Sequence, residues 1–445
     1  MTYIAQDLRQ KPLCAKIVMV GDDFRTNSTE VVMIFRILAD RLPRADMRRL
    51  VMITGARQTG KTTLARALYP DLRYISLDEI EARLQVKEMP TRAWAASVGH
   101  AILDEAQKEP AIFDKIKFAY DSGAIDFSVL LGSSQILMMN HIRETLAGRV
   151  FIYELWPLML AELVSTGRTM QPPLFARLLT DDQNADEIFA ETPPVLLGDD
   201  AGLRQQWFHY GLQWGGMPGL VTLNDTERRE WLNAYTNTYL ERDLTDIARL
   251  DDLLPYRRFM RLAALRSGQL LSYADLARDA DISPTTARNY LNYLQLSFQT
   301  YLLPPYFTSE VKRLVKAPKL YWIDPGLWRH QTNYWGDITG QLLETYVVGE
   351  AIKWIKTTGS TAEAWFYRTH GGLEVDLLLT TSQGIWGIEI KSSPQVKLAQ
   401  ASSLRRLAQE FGNRWRGGIV AYIGTQIVQL AENLWAAPVQ RLFSP

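Results

Sequence analysis

The stretch LVMITGARQTGKTTLARAL, residues 50–68, decides the fold of this chain. An apolar run predicts a buried strand, the motif G-x-x-x-x-G-K-T follows it directly, and LARAL then predicts a helix. In this order the glycines let the backbone wrap an anion, and the loop and the helix N-terminus aim N–H groups at it. We therefore predict a loop that binds the phosphates of ATP. Its residues are Gly55, Ala56, Arg57, Gln58, Thr59, Gly60, Lys61, Thr62 and Thr63.

Two side chains of this loop have predicted chemical roles. Lys61 is expected to neutralise charge on the β and γ phosphate oxygens, and the Thr62 hydroxyl to hold Mg²⁺. The alternative is a glycine-rich turn that merely joins a strand to a helix. We set it aside because chance rarely places a strand, this eight-residue motif and a helix in succession.

Hydrolysis also needs an acid on the metal and a group that positions water, both at the end of a neighbouring strand. AILDE, residues 101–105, supplies them: Asp104 would reach Mg²⁺ through a water, and Glu105 would polarise the attacking water. An acidic helix N-cap is the alternative. The run FSVLLG, residues 127–132, predicts another buried strand, after which Ser133 would sense the γ-phosphate, unless it is only a turn serine.

Arg149 follows Gly148 and precedes the apolar run VFIYEL. We expect it at the rim of the domain, where an arginine is suited to the γ-phosphate bound by a neighbouring subunit. This hypothesis implies a homo-oligomer, a ring or at least a dimer. A surface arginine that caps the preceding helix is the alternative.

Length and composition limit the class of protein. The chain has 445 residues, 49 basic and 49 acidic side chains, and 47% hydrophobic residues, which predicts several globular domains and no overall field toward nucleic acid or lipid. A single cysteine cannot form an internal disulfide. The start of the chain does not resemble an export signal, and no run of 18 apolar residues occurs. We expect a cytoplasmic protein with no membrane partner.

The pattern along the chain predicts five segments. In the first, Asn27 and Glu30 have the spacing of a capping box, and the apolar residues of 31–38 recur at helical spacing, which predicts a helix there. Short apolar runs that alternate with polar helical stretches predict a parallel sheet in the second. The segments are a lead-in (1–46), an α/β nucleotide-binding core (47–164), an insertion and helical lid (165–265), a helix-turn-helix (266–332) and a C-terminal α/β region (333–445).

The fourth segment carries two predicted helices, each with a serine N-cap. Ser272 caps the first, and Ser283 followed by Pro284 starts the second. Residues 255–330 hold 11 basic and 5 acidic side chains in an otherwise neutral protein, which favours double-stranded DNA as a partner. A winged helix used for subunit packing is the alternative. The candidate DNA contacts are Thr285, Thr286, Arg288 and Asn289 on the second helix and Lys312 and Arg313 in a basic wing that also includes Lys316 and Lys319.

Four charged residues of the last segment occupy two predicted strands, LEVDLLL and IWGIEIK. If Ser382 and Gln383 form the loop between them, Asp376 faces Glu389 and Glu374 faces Lys391 on one side of a hairpin. Carboxylates that hold Mg²⁺ beside a lysine are what a metal-dependent phosphodiesterase needs. The candidate second metal site is Glu344, Asp376, Glu389 and Lys391. Cross-strand ion pairs on a solvated hairpin are the alternative.

The order GARQTGKTTLARAL, YISLDE, ILDEAQ, LLGSSQ, LAGR, GGMPG and YLERD resembles the bacterial and archaeal AAA+ P-loop ATPases with a C-terminal DUF4143 region. The resemblance covers about residues 45–400 and implies an AAA+ core, a helical lid, a winged helix and a domain similar to restriction endonucleases. The acidic stretch 181–200 departs from it. The D-x₁₂-E-x-K spacing is similar to the PD-(D/E)xK nuclease pattern. A second sensor arginine is not identified among Arg228, Arg229 and Arg242.

Together these observations predict an Mg²⁺-dependent ATPase whose nucleotide state is coupled to DNA binding or processing. The alternative is a nucleotide-switched scaffold or remodeller that acts on a protein, with a catalytically silent C-terminal domain. The sequence leaves open the partner, the number of subunits and whether the C-terminal site cleaves.

Overall fold

The chain folds into an α/β architecture with two large sheets, as seen in a computed structural model that describes residues 14–18, 31–132, 145–165, 171–240, 253–307, 317–369 and 371–445. The first sheet follows a short N-terminal hairpin, and the second lies in the C-terminal region. Helices and a small three-stranded sheet connect the two. The fold class expected from the sequence is confirmed.

The first sheet is the predicted parallel sheet, with strand order β4-β5-β6-β3-β7. Leu50 and Met52 contribute to the core on one face of the sheet, whereas Val51 and Ile53 contribute to the core on the other. Both faces are therefore covered, as in other parallel sheets with crossover helices. Its strands are β3 (Arg49–Thr54), β4 (Arg73–Ser76), β5 (Ala101–Asp104), β6 (Phe127–Gly132) and β7 (Val150–Glu154).

Helices cover this sheet and connect its strands. Leu64 and Ala65 of the first helix belong to one of the two cores, and Ile112, Phe113 and Ile116 of the fourth belong to the other. The helices are α1 (Lys61–Leu68), α2 (Ile80–Glu88), α3 (Trp94–Ser97) and α4 (Ala111–Asp121).

The prediction of a helix in the lead-in segment is wrong. Val31–Phe35 forms strand β2, which pairs antiparallel with β1 (Cys14–Val18), and only a short 3₁₀ turn follows at Ile37–Arg41. The run VVMIF is rich in residues that favour strands, and Ile34 and Phe35 pack into two different cores on opposite sides. Burial on both sides therefore overrode the helical spacing. Asn27 and Glu30 lie outside the described residues.

The region after the first sheet is helical, as expected. The stretch GGMPG, residues 215–219, separates two of its helices and overlaps a 3₁₀ turn at Pro218–Leu220. A π-helical turn, Tyr235–Leu240, extends the second of these helices. The helices are α5 (Leu160–Val164), α6 (Leu174–Thr180), α7 (Ala185–Ala190), α8 (Asp199–Trp214), α9 (Asp225–Ala234) and α10 (Leu254–Leu265).

Two capped helices and a small antiparallel sheet occupy the segment in which the sequence predicts a winged helix, and these elements are called the winged helix. Ser272 Oγ accepts a hydrogen bond from Asp275 N at 3.2 Å, and Ser283 Oγ accepts one from Thr286 N at 3.0 Å, so both predicted caps are confirmed. Strand order is β8-β10-β9. The elements are α11 (Tyr273–Ala280), α12 (Pro284–Leu296), β8 (Gln269–Leu270), β9 (Thr300–Leu303) and β10 (Lys319–Trp322).

The C-terminal sheet has six strands in the order β11-β12-β13-β14-β16-β15. The predicted hairpin register is confirmed, since Leu377 pairs with Ile388 and Thr380 with Ile385. The strands are β11 (Glu363–Arg368), β12 (Glu374–Thr380), β13 (Ile385–Lys391), β14 (Trp415–Tyr422), β15 (Val428–Ala431) and β16 (Leu434–Pro438). The accompanying helices are α13 (Pro325–Thr332), α14 (Gly340–Thr358), α15 (Ser402–Phe411) and α16 (Val439–Phe443).

One hydrophobic core joins the lid helices, the winged helix and the C-terminal sheet. Phe208, Leu276, Trp322, Leu377 and Ile388 all belong to it. The core therefore runs without a break across residues 265 and 332, where the sequence predicted domain boundaries. In the described part of the chain, none of the helices has the length and apolar character needed to span a bilayer.

Candidate functional site

The glycine-rich loop, residues 55–60, leaves the carboxyl end of β3 and leads into α1. Gly55 has φ +154°, and a Cβ there would lie 2.1 Å from the carbonyl oxygen of Leu155. Gly60, the N-cap of α1, has φ +92°. Close packing at the first position and a left-handed backbone at the second therefore require glycine at both ends of the loop.

Lys61 lies inside the turn of the loop. Its side chain is buried, and Nζ donates hydrogen bonds to the carbonyl oxygens of Gly55 at 3.0 Å and Ala56 at 2.8 Å. These acceptors are parts of the loop itself. Phosphate oxygens bound by the loop would therefore compete for the same ammonium group.

Asp104 and Thr62 meet at the carboxyl edge of the sheet. Thr62 Oγ1 donates to Asp104 Oδ2 at 2.7 Å, and the Tyr74 hydroxyl donates to the same oxygen at 2.8 Å. Burial and the Asp104 carboxylate raise the pKa of Tyr74 to about 12, so its hydroxyl remains a donor at neutral pH. Tyr74 was not among the predicted site residues, although its strand precedes the acidic one in the sheet order.

Glu105 directly follows Asp104 and has a left-handed backbone, with φ +51°. This conformation is uncommon for a residue other than glycine and turns the chain sharply at the end of β5. The Glu105 carboxylate accepts a hydrogen bond from Gln107 Nε2. A side chain thus holds the predicted water-polarising group at the edge of the site.

This arrangement fits a nucleoside triphosphate with Mg²⁺. The two glycines open the loop, Lys61 supplies the cation, and Thr62 and Asp104 bring a hydroxyl and a carboxylate within hydrogen-bonding distance of each other. Hydroxyl and carboxylate oxygens are hard ligands of the kind that Mg²⁺ prefers. Thr62, with Asp104 acting through water, would hold the metal beside the phosphates.

Two residues outside the loop bind its carbonyl groups. Arg36 Nη1 donates to the Thr59 carbonyl oxygen at 2.7 Å, and the Tyr235 hydroxyl donates to the Arg57 carbonyl oxygen at 3.3 Å. Sequence reasoning missed both. For Arg36, the available signal was an arginine within the apolar run VVMIFRIL. Nothing in the sequence indicated that Tyr235, 178 positions after Arg57, lies next to the loop.

Of the two other predicted residues of the core, only Arg149 belongs to the described part of the chain, and it lies away from this site. Ser133 lies outside the described residues. Arg149 precedes β7 and so lies at the amino edge of the parallel sheet, opposite the loop, where it forms an ion pair with Asp121 at 2.6 Å. Hydrogen bonding to Asp121 raises the pKa of Arg149. Its role toward a neighbouring subunit stays a prediction.

The second helix of the winged helix, α12, presents the predicted outward set. Ala287, Tyr290, Leu291 and Leu294 are buried. Thr285, Arg288 and Asn289 are exposed, Thr286 is half-buried, and the Arg288 guanidinium lies 5.1 Å from the centre of the Tyr273 ring. Lys312 and Arg313 lie outside the described residues, as does Lys316.

Lys319 does not belong to an exposed basic wing, which corrects the prediction. Its side chain is only 4% exposed, and Nζ pairs with Glu344 at 3.1 Å and with Glu374 at 2.8 Å. Burial alone would lower the pKa of Lys319, but the carboxylates around it raise that pKa. The strand β10 therefore inserts a cation among the acids of the C-terminal region.

The four candidate residues of the second site lie close together. Glu344 also accepts a hydrogen bond from the Tyr321 hydroxyl at 2.6 Å, Asp376 accepts one from Ile390 N at 2.9 Å, and Lys391 pairs with Glu389 at 2.9 Å. Burial and the Asp376 charge raise the pKa of Glu389 to about 7 and also raise that of Glu344. Lys319 and Lys391 offset part of this negative charge.

These acids are not arranged as a preformed metal centre. Among the described residues, no three His, Cys, Asp or Glu side chains are grouped as ligands for one ion. Glu344 and Glu389 each have a lysine partner instead. A divalent ion here would have to displace these ion pairs.

Three regions of the chain match family models. Residues 47–164 match an AAA domain, 205–335 match a domain of unknown function (DUF8612), and 339–442 match a domain of unknown function (DUF4143). Together with the geometry of the loop, these matches define an AAA+ P-loop ATPase domain joined to a C-terminal DUF4143 domain. The AAA+ and DUF4143 parts of the resemblance stated from the sequence motifs are confirmed.

The chain is similar to proteins of both bacteria and archaea. The uncharacterized protein Rv2008c of Mycobacterium tuberculosis is 26% identical over 92% of this chain and 84% of its own length. The uncharacterized protein MJ1637 of Methanocaldococcus jannaschii is 24% identical over 80% of this chain and 79% of its own length. A Walker-type ATPase of Pyrococcus abyssi is 14% identical, covers 66% of this chain and 99% of its own, and has a TM-score of 0.40. Structural likeness at this level carries no functional argument.

Proposed function

We propose that this protein hydrolyses ATP with Mg²⁺ and couples its nucleotide state to duplex DNA through the winged helix and the C-terminal domain. The observation that carries the first half is the meeting of Lys61, Thr62 and Asp104 at the end of β3 and β5. A lysine, a hydroxyl and a carboxylate at one edge of a parallel sheet are the parts that phosphoryl transfer to water requires.

Each residue has a defined task in this reaction. Lys61 leaves the loop carbonyls to bind the β and γ phosphate oxygens, and Asp104 orients the Thr62 hydroxyl toward the metal. Thr62 and, through water, Asp104 would hold Mg²⁺, which would supply charge neutralisation for the phosphate oxygens. Glu105 leaves Gln107 and accepts a hydrogen bond from the attacking water, which orients that water in line with the γ-phosphate.

An apolar contact supports the coupling of the loop to the winged helix. Ala56 of the loop lies in one buried cluster with Trp156, Phe298 and Ile323. Phe298 lies two residues after the end of α12, and its ring lies edge-on to Trp156 at 4.9 Å. A change of loop conformation on nucleotide binding would therefore press on the end of the helix that presents Arg288 and Asn289.

The steady-state ATPase rate of the full chain, with and without duplex DNA, tests this function. We expect Mg²⁺-dependent hydrolysis that DNA stimulates and that Glu105→Gln reduces about a hundredfold or more while ATP binding is retained. Stimulation that disappears at high salt supports phosphate contacts. Hydrolysis that the Gln substitution does not change contradicts the assignment of Glu105. An ATPase rate that DNA does not change contradicts the proposed coupling to DNA.

A second candidate function is a nucleotide-switched scaffold that remodels or recruits another protein. The burial of Lys319 between Glu344 and Glu374 favours it, because internal ion pairs occupy the acids of the C-terminal domain. Cleavage of duplex DNA with Mg²⁺, compared between the parent and Asp376→Ala, separates the two. Cleavage by the parent alone supports a nuclease. No cleavage by either, with a DNA-indifferent ATPase, supports the scaffold.

A further inference from the structure

Arg36 connects three segments that are distant in sequence. Its Nη1 donates to the Thr59 carbonyl oxygen at 2.7 Å, its Nη2 donates to the Trp156 carbonyl oxygen at 2.6 Å, and its Nε donates to Glu162 Oε1 at 3.2 Å. Arg36 follows β2 and precedes the domain that contains the loop. The guanidinium thus joins the lead-in segment, the phosphate loop and the connection after β7.

The hydrogen bond to Thr59 determines the direction of a group that faces the ligand. The Thr59 carbonyl and the Gly60 N–H belong to the same peptide unit, and in a planar trans unit they point in opposite directions. Arg36 holds the carbonyl from outside the loop, so the Gly60 N–H is directed away from Arg36. This N–H is one of the donors that a phosphate-binding loop turns toward its anion.

The surroundings fix the guanidinium itself. Arg36 is 4% exposed and Glu162 is fully buried, and the ion pair between them joins two groups that burial removes from water. Glu162 also accepts hydrogen bonds from Ile37 N at 2.9 Å and Met159 N at 3.0 Å. Because backbone groups on both sides hold the carboxylate, the arginine has little freedom to leave the Thr59 carbonyl.

We propose that Arg36 is a positioning residue of the nucleotide site, which holds the Thr59–Gly60 peptide in the orientation that receives phosphate. The proposal rests on the proposed function, since it assumes that the loop binds ATP. Arg36 contacts the loop backbone and acts through it. Its loss should weaken ATP and ADP binding more than it slows hydrolysis at saturating ATP.

Equilibrium binding of fluorescent ATP and ADP analogues to the full chain tests this role, together with the KM and kcat for ATP. We expect Arg36→Met to raise both dissociation constants and the KM roughly tenfold, with a smaller change in kcat, because a buried carbonyl loses its charged donor. Arg36→Lys should recover part of this loss. A single ammonium group keeps the charge beside Glu162 but cannot make all three contacts.

Arg41→Met is the matched control. Arg41 lies in the same segment and donates to the carbonyl oxygens of Lys356 at 3.2 Å and Thr357 at 2.6 Å, away from the loop. We expect nucleotide dissociation constants within about twofold of the parent for this variant. Equal losses in both variants would overturn the proposal, because loosening of the lead-in segment would then explain the effect.

Amide hydrogen exchange of residues 55–60 provides a measurement that does not depend on bound nucleotide. The nucleotide-free Arg36→Met protein should exchange these amides faster than the Arg41→Met protein. If neither the exchange rates nor the nucleotide affinity of Arg36→Met differ from those of the parent, the proposal is wrong. If Arg36→Met does not fold, Arg36→Lys carries both measurements. If the parent binds no ATP, the proposed function is wrong. If the parent and Arg36→Met bind ATP equally tightly, only the role of Arg36 is wrong.

Discussion

At the scale of residues, two lysines partly offset a cluster of carboxylates in the C-terminal region. Glu344, Asp376 and Glu389 would repel one another, and Lys319 and Lys391 compensate them from two directions. Burial and the repulsion from Asp376 raise the pKa of Glu389 to about 7. A carboxylate that keeps its proton near neutral pH makes the stability of the fold depend on pH.

The raised pKa of Glu389 predicts the sign of this dependence. In the unfolded chain the Glu389 carboxyl loses its proton near the ordinary glutamate pKa of 4.5, whereas burial lets the folded protein keep the proton up to about pH 7. The folded state therefore binds more protons in this window, and stability falls as pH rises from about 5 to 8. Glu389→Gln stays neutral, so the free energy of unfolding of the variant relative to the parent should rise by about 2 kcal/mol over that range.

Denaturant unfolding of both proteins at pH 5, 6, 7 and 8 checks this prediction. The comparison uses the slope with pH, because the variant also loses the ion pair with Lys391 at 2.9 Å, which changes its stability at every pH where that pair exists. Parallel profiles for parent and variant would show that Glu389 titrates normally in the folded protein.

At the scale of elements, α12 combines a buried face with an exposed polar face. Ser283 caps its start, and the apolar residues at 287, 290, 291 and 294 hold it against the core. The exposed face near its start carries Arg288, supported by the Tyr273 ring. A capped helix that presents polar side chains from its first turns is suited to the major groove of DNA.

Arg288→Ala should therefore weaken binding of duplex DNA by about 1–3 kcal/mol if the arginine contacts a base. If it contacts only a phosphate, the slope of log K against log salt should decrease by about one and sequence preference should persist. Fluorescence anisotropy over a salt series measures both quantities. Arg278→Ala on α11 is the control, because Arg278 is already paired with Asp275 at 2.9 Å and Asp279 at 3.3 Å. If the Arg288 variant and the parent bind duplex DNA with equal affinity, the exposed face of α12 does not contact DNA.

At the scale of the whole molecule, a buried junction at Gly216 is one of the contacts that connect the nucleotide-binding domain to the rest. Gly216, in the turn after α8, donates through its N–H to Asp324 Oδ2 at 2.7 Å, and its carbonyl oxygen accepts from Leu158 N at 2.6 Å. Leu158 follows the last strand of the first sheet, and Asp324 caps α13. Nearby, Lys353 donates to the Leu158 carbonyl oxygen at 3.2 Å. Residues from four parts of the chain thus meet within one buried site.

Gly216→Ala should disrupt this junction. An added Cβ would lie 2.1 Å from the carbonyl oxygen of Leu158, which is backbone and cannot move aside alone. We expect a loss of about 3 kcal/mol or more in the free energy of unfolding, with reduced coupling between DNA and ATPase rate. Gly202→Ala in α8 is the control, since no heavy atom lies within 4 Å of its added Cβ. That change should be neutral or stabilise the helix by up to about 1 kcal/mol. Thermal unfolding distinguishes the two, and equal midpoints would contradict the tight packing at Gly216.

The local sequence determined much of the fold and part of the site. The five strands of the first sheet, both serine caps and the register of the C-terminal hairpin were predictable, because each depends on a few neighbouring residues. The phosphate loop was predictable for the same reason, since its chemistry requires fixed residue types at fixed spacing. The helix predicted at 31–38 failed where burial on two sides, a tertiary property, opposed the local spacing.

Only the tertiary structure decided which distant residues meet at the loop and at the C-terminal acids. Arg36 binds Thr59 across 23 positions of sequence, and Tyr235 binds Arg57 across 178. Lys319, which the sequence placed in a basic wing, pairs with Glu344 instead. No periodicity or motif encodes these contacts. They arise because a buried charge or carbonyl needs a partner, and the packing of the whole chain determines which partner is within reach.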